Sequence, residues 1–136
     1  LIGGGTNHRY GLFDMILIKD NHVDANGSIT KTLDRVADYM KQGKANCKVE
    51  IEVRTLEEVK EATSHHVVDR LLLDNMTTLM MAEAVQIVDR TKETEASGNI
   101  TLQRLREIAE TGVDYISCGA ITHSAKNIDL SLKILS

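Results

Sequence analysis

The feature that most constrains this chain is a strict alternation of short apolar runs with longer stretches of helical period. The first run, Met15 to Ile18, leads into the polar cluster Lys19-Asp20-Asn21-His22 and a turn at Asn26-Gly27. From Ser28, a good N-cap, Ile29, Leu33, Val36, Ala37 and Met40 recur at helical spacing until Gly43 supplies a stop. Val49, Ile51 and Val53 then alternate with Glu50 and Glu52, the period of two that sends successive strand side chains to opposite faces. Thr55 and Glu58 fit a capping box, with a short helix expected to about Thr63. Arg70 to Asp74 reads as a buried strand, and Leu79 to Val88 as the next helix, with Met80, Ala84, Ile87 and Val88 on one stripe. A strand from Lys92 to Ala96, the loop Ser97-Gly98-Asn99, a helix from Thr101 to Glu110 stopped by Gly112, a strand from Val113 to Ser117 and a final helix from Ala125 to Ile134 complete the series. Proline is absent, so the turns rest on Gly, Asn, Asp and Ser.

Five strand-helix units in strict alternation predict an α/β fold with parallel strands and right-handed crossovers, hence a barrel or a doubly wound sheet. A complete eight-unit barrel takes about 250 residues. At 136 residues the chain is expected to be part of a TIM-like barrel, and five units do not readily close alone. The start agrees with this: the chain opens at Leu1 without a Met and enters Gly3-Gly4-Gly5 at once, as a cut through a longer protein would.

With 42% hydrophobic and 26% charged residues, the composition is that of one globular unit. A net charge of −4, one Phe, three Tyr and no Trp offer neither a cationic field nor stacking platforms, which argues against nucleic acid. No apolar run approaches the roughly 20 residues of a membrane helix and no leader pattern precedes the first strand, so a cytoplasmic location is expected. Cys47 and Cys118 have no spacing suited to zinc or redox chemistry and read as small buried hydrophobes.

The polar residues are more informative for where they fall. Lys19, Asp20 and His22, then Glu52, then Asp74 and Asn75, then Ser97 and Gly98, then Gly119 and His123 all lie at or just past the C-terminal end of a predicted strand. In parallel barrels that edge holds the active site, because strand ends converge there and helix N-termini point free amides at it. Ser97-Gly98-Asn99 and Cys118-Gly119-Ala120 each put a glycine before a helix, where backbone amides can close on a phosphate, with His123 as a further donor or a simple cap. Glu50, Glu52 and Asp74 offer hard oxygen ligands for magnesium held with a diphosphate, Glu52 being nearer the functional edge than Glu50. His8, Arg9 and Lys19 suit an anion of more than one charge. His65 and His66 fall between a helix and the next strand, on the opposite edge, and read as surface residues.

Taken together, Gly3-Gly4-Gly5-Thr6-Asn7-His8-Arg9, Gly11-Leu12-Phe13-Asp14, Leu17-Ile18-Lys19-Asp20-Asn21-His22, Glu50-Ile51-Glu52-Val53, Leu73-Asp74-Asn75, Glu95-Ala96-Ser97-Gly98-Asn99 and the run from Thr111 to Ser124 resemble the signatures of quinolinate phosphoribosyltransferases, in order and over nearly the whole chain. The resemblance implies an open α/β barrel, an N-terminal α/β sandwich domain that this chain lacks, and a homodimer or larger homo-oligomer with shared active sites. It implies transfer of phosphoribosyl from phosphoribosyl pyrophosphate to quinolinate with decarboxylation. His8, Arg9 and Lys19 would grip the quinolinate carboxylates. Glu52 and Asp74 would hold the ribose and magnesium-diphosphate end of the donor, and Ser97, Gly98, Asn99, Gly119 and His123 its 5-phosphate. Lys19, Glu52 and Asp74 would be the catalytic set. The family's Thr-Arg-Lys-Thr segment has no counterpart in the chain, and Asn99 stands where many relatives have a second glycine.

Three other readings fit the same residues. One is a paralogue with the same barrel, such as the transferase-like protein of molybdate gene clusters. Another is a Schiff-base barrel such as a class I aldolase, with Lys19 as nucleophile. The third is a non-catalytic phosphate-binding module.

Overall fold

The computed structural model describes residues 3–125 and 127–134. Strands β1 (Met15–Ile18), β2 (Lys48–Val53), β3 (Arg70–Asp74), β4 (Glu93–Ser97) and β5 (Tyr115–Ile116) form one parallel sheet in sequential order. Between them run α1 (Asp20–Asn26) and α2 (Ile29–Lys41), then α3 (Leu56–Ser64), α4 (Thr78–Val88) and α5 (Leu105–Ala109), and α6 (Ala120–His123) follows β5. Sequential strand order separates the two sheet architectures left open above. A doubly wound sheet reverses its order and carries helices on both faces, whereas here the helices gather on one face, as in a segment of a barrel.

The core shows which face that is. Ile18, Val49, Ile51, Val53, Leu71, Leu73 and Ala96, alternate residues of β1 to β4, pack with Leu33 of α2, Val59 and Ala62 of α3, Met81, Ala84 and Val88 of α4 and Ile108 of α5. The helix starts are fixed by side-chain caps, at Ser28 and Thr55 as the sequence predicts and also at Thr77. Ser28 accepts from the Lys31 amide at 3.2 Å, Thr55 from Glu58 at 3.2 Å, and Thr77 from Met80 at 3.2 Å. The Glu58 carboxylate reaches back to the amide of Arg54 rather than to that of the cap itself, at 2.6 Å.

Several expectations are corrected. Lys19 to His22 is not a plain strand exit but the entry to α1, which Gly27 ends at φ +87°. The sequence hides this helix because it buries only Val23 and so shows no apolar stripe. The fourth strand begins and ends one residue later than predicted, which makes Ser97 its last residue, paired with Asp74. The predicted helix from Thr101 is regular only over Leu105–Ala109, and the strand predicted from Val113 to Ser117 only over Tyr115–Ile116.

The final helix expected from Ala125 to Ile134 is absent among the described residues, Lys126 lying outside them. Ile128, Leu130, Leu132 and Ile134 are apolar at every second position and fully exposed. That period of two cannot form one helical stripe. Regular helix stops instead at His123.

Leu73 has no exposed surface and Leu79 is 83% exposed. Leu73→Ala should therefore lower the unfolding free energy of the native full-length protein by about 3 kcal/mol, while Leu79→Ala should change it by less than about 0.5 kcal/mol. Urea unfolding followed by circular dichroism measures both.

Candidate active site

Strand residues that do not face the helices face the other side of the sheet, and most of them are polar. In register, Leu17 lies beside Glu50, Glu50 beside Arg70, and Arg70 beside Glu93, while Glu52, Leu72, Glu95 and Tyr115 make the next row and Asp74 pairs with Ser97. Glu50, Arg70 and Glu95 are buried. A buried charge needs partners, and these have them. Arg70 reaches Glu95 Oε2 with Nη1 at 2.8 Å and Glu93 Oε2 with Nη2 at 2.9 Å, and its guanidinium lies 3.9 Å from the centre of the Tyr115 ring. Lys48 adds a second cation to Glu93 at 3.0 Å, and the Ser117 hydroxyl donates to Glu95. His8 Nε2 sits 2.7 Å from Glu50 Oε2 and 3.5 Å from Glu95 Oε1. Burial, and then the neighbouring charge of Glu95, push the Glu50 carboxyl up to about 8. Among the described residues its Oε1 has no hydrogen-bond partner.

The rim at the strand C-termini brings together most of the residues expected there. Lys19 is exposed just before α1, and its backbone N–H donates to His22 Nδ1 at 2.9 Å, which makes His22 a helix cap rather than a ligand. Glu52 is half-buried. Burial first, then the charges of Asp74 and Asp20, hold its carboxyl above the usual range, against the pull of Lys19 and Arg54. Those shifts report that Glu52, Asp74, Asp20 and Lys19 share one neighbourhood. Asp20 is also 3.9 Å from Arg54.

On the next strands, Asn75 adopts φ 54°, donates to Asp74 Oδ2 at 2.8 Å, accepts from Asn99 Nδ2 at 2.8 Å, and gives its amide to the Ser97 carbonyl at 2.9 Å. Gly98, at φ +85°, lies against this asparagine: a Cβ there would come within 2.9 Å of the Asn75 amide nitrogen and collide with its side chain. Beyond β5, Gly119 is covered by the His123 ring, which is itself exposed and bonded to Ser124 at 2.6 Å. The Cys118 thiol reaches the Ile100 carbonyl at 3.6 Å, tying the loop after β5 to the loop after β4. Ser97, Gly98 and Asn99 therefore neighbour Gly119 and His123 on adjacent strand ends.

The three expected cations are spread out. Arg9 donates to the Met15 carbonyl at 3.2 Å, at the start of β1, whereas Lys19 stands just past its end. His8 lies between them on the polar face. His65 and His66 stack on one another before β3, on the opposite edge; His66 is exposed as expected, whereas the His65 side chain is only 12% exposed and contacts Asp34. Arg70, Glu95, Tyr115 and Ser117 were missed as site residues, Glu50 was passed over in favour of Glu52, and Asn75 was placed on the rim without its bridging role. The signal was a charged residue at alternate positions inside apolar strands, which has no place on a helix-packed face and marks the other one.

Gly98→Ala combines a left-handed backbone with a collision, and should cost at least about 1 kcal/mol of stability. Gly3→Ala, in open space, should cost nothing measurable; chemical unfolding of both variants checks this. The carboxyl of Glu50 is raised in the folded state, so folding binds its proton more tightly. The stability this contributes is complete below pH 4.5, the ordinary value, and is lost as pH rises through about 8. Relative to Glu50→Gln, which does not titrate, the wild type should thus lose stability across that window, read from denaturation midpoints at successive pH values.

The chain matches the family described as quinolinate phosphoribosyl transferase, C-terminal domain, over residues 1–133. It is 47% identical to "Quinolinate phosphoribosyltransferase [decarboxylating] 2b, mitochondrial" of Nicotiana tabacum, over 98% of this chain and 42% of the relative, and equally identical to the chloroplastic "Nicotinate-nucleotide pyrophosphorylase [carboxylating]" of Arabidopsis thaliana. Among solved structures it resembles NadC from Streptococcus pyogenes at 37% identity and a TM-score of 0.88, covering 99% of this chain and 46% of that one. The nicotinate-nucleotide pyrophosphorylase from Ehrlichia chaffeensis matches at 43% identity and a TM-score of 0.86, over 94% of this chain and 45% of that one. The chain thus spans less than half the length of these relatives. With its sequential parallel strands, its polar inner face and these matches, the chain belongs to the quinolinate phosphoribosyltransferase family, of which it represents the C-terminal domain.

Proposed function

We propose that the protein this chain represents is a quinolinate phosphoribosyltransferase, which takes quinolinate and phosphoribosyl pyrophosphate to nicotinate mononucleotide, pyrophosphate and carbon dioxide. The observation that carries the reading is the single rim on which Lys19, Glu52, Asp74 and the loops after β4 and β5 stand together. The names of the relatives describe the same reaction.

On this reading the aromatic dicarboxylate lies over the polar face, with its two carboxylates toward His8, Arg9 and Lys19. Arg9 exchanges a 3.2 Å bond to a neutral carbonyl for a charge-assisted one, which is the stronger of the two. Ser97, Gly98, Asn99, Gly119 and His123 receive the 5-phosphate. Glu52 and Asp74 face the ribose and the diphosphate. Their oxygen donors and mutual repulsion fit a magnesium ion, and the one close group of three ligand side chains among the described residues, His8, Glu50 and Glu95, includes neither of them. Magnesium typically keeps waters and substrate phosphates in its shell, so two carboxylates suffice. When bound it would neutralise the diphosphate as that group leaves.

The pyridine nitrogen bonds to the anomeric carbon as the carbon–oxygen bond to pyrophosphate breaks. Glu52 and Asp74 stabilise the positive charge that develops on the sugar. The adjacent carboxylate then leaves as carbon dioxide, its bonding pair staying on the ring carbon, where the neighbouring cationic nitrogen stabilises it until it takes up a proton.

A homodimer or larger homo-oligomer, an N-terminal sandwich domain and a cytoplasmic location belong to the same reading. None of the described helices is long and apolar enough to cross a membrane. The plant relatives carry mitochondrial or chloroplastic names, which makes cell fractionation the relevant check on location.

The test is steady-state kinetics of the native full-length protein. Arg9→Ala should weaken quinolinate binding by roughly 1.5 to 3 kcal/mol, with little change for the sugar donor. Equal losses for both would contradict the assignment. Lys19→Arg keeps the charge and should retain measurable quinolinate affinity. Borohydride in the presence of quinolinate should leave the enzyme active. A reduced substrate adduct on Lys19 would replace this reading with a Schiff-base mechanism.

A further inference from the structure

The polar face holds a group that the chemistry above leaves unused. Glu50, level with Arg70, and Glu95, one row nearer the rim, are both buried, and neither is assigned to substrate. Two carboxylates and an imidazole with ligand atoms this close could share a divalent cation. Arg70, however, already lies 2.8 Å from Glu95, and a bonded guanidinium supplies the countercharge a metal would bring. The remaining role is hydrogen bonding to His8.

That role has a definite consequence for the imidazole. Its Nε2 faces Glu50 at 2.7 Å, so only Nδ1 is left to meet a ligand. One proton lies between Nε2 and the carboxyl, whichever of the two owns it. A second proton on Nδ1 gives an N–H there, which is the form that can donate to an anion. If Nδ1 were bare it would repel a carboxylate. Glu95 stands 3.5 Å from Nε2 on a second strand, itself fixed by Ser117 and Arg70, and so limits rotation of the ring.

We propose that Glu50, braced by Glu95, is a positioning residue that fixes His8 with its proton on Nδ1 and thereby sets the affinity for a carboxylate of the pyridine dicarboxylate substrate. The inference deepens the functional reading above and rests on it for the identity of the substrate.

The experiment uses the native full-length protein with quinolinate and phosphoribosyl pyrophosphate. Glu50→Met keeps the size and removes the hydrogen bond. It should raise KM for quinolinate about tenfold, the scale of losing an orienting partner behind a ligand histidine, and leave kcat and the KM of the sugar donor within about twofold. Glu50→Gln, whose amide N–H can still donate to Nε2, should restore most of the loss. In a His8→Ala background Glu50→Met should add nothing, because a residue acting through His8 has nothing left to act on. Both KM values rising together, or a loss that persists without His8, would overturn the proposal.

Nitrogen-15 NMR of the His8 ring reads the same point without a substitution, and so holds even if the Met variant does not fold: Nδ1 should be protonated, and a bare Nδ1 refutes the assignment. Tight binding of manganese or zinc alone, abolished by Glu95→Gln, would overturn it in favour of a metal site. A wild type that binds no quinolinate would sink the functional reading and the substrate named here, while the ring nitrogens would still decide whether Glu50 fixes His8.

Discussion

The interaction on which the rest of the structure depends is the bridge from Arg70 to Glu95 and Glu93, because it lets a parallel sheet bury charge on one face with the countercharge beside it. Removing carboxylates from solvent is expensive, and one guanidinium with several well-placed donors is among the few groups that offset the cost for two of them. The bridge spans β3 and β4, Tyr115 covers it from β5, and Lys48 closes it from β2. Four strands are thereby held in register by side chains on the polar face, in addition to their backbone ladders. Glu95 has its partner in Arg70, while burial and the neighbouring Glu95 charge raise the Glu50 carboxyl, which faces His8.

The two faces divide the work. The helix-packed face is made of Val, Ile, Leu, Ala and Met in close contact, and stability rests there. The other face is free to place titratable groups because it need not seat a helix, a freedom that follows from strands in sequential order with crossovers on one side. A doubly wound sheet, with helices on both faces, would have to bury these carboxylates under apolar side chains.

What the sequence made legible follows from the same division. The helix-facing residues repeat with a clean period, so β2, β3, α2, α3 and α4 could be read nearly to the residue, along with the capping roles of Ser28 and Thr55. The rim residues were legible because they follow strand ends: Glu52, Asp74, Ser97, Gly98 and Gly119 fall where that argument puts them. Glu50 and Glu95 were harder. A glutamate in a strand looks the same in sequence whether it meets water or a buried arginine, and only the register between strands, a property of distant parts of the chain, decides which. The segment from Asn127 to Ile134 was misread for a different reason. Its alternation of apolar and polar residues has the period of a strand, and its distance from β5 made a helix the convenient assignment.

Asn75 shows how the rim is made one unit rather than a set of separate groups. Its left-handed backbone costs energy for any residue with a Cβ, and asparagine is among those that bear it most easily. Glycine would remove the strain, but it would also remove the side chain that donates to Asp74 and accepts from Asn99. The three hydrogen bonds of Asn75, one backbone and two side-chain, offset the strain and join the end of β3 to the loop after β4. Gly98 has to be glycine because this asparagine occupies the space where its Cβ would sit. Asp74 is therefore linked to the Ser97-Gly98-Asn99 loop by an unbroken chain of hydrogen bonds through Asn75. The carboxylate end of the rim and the loop after β4 are thus one hydrogen-bonded unit, its geometry set by a single asparagine and by the glycine that makes room for it.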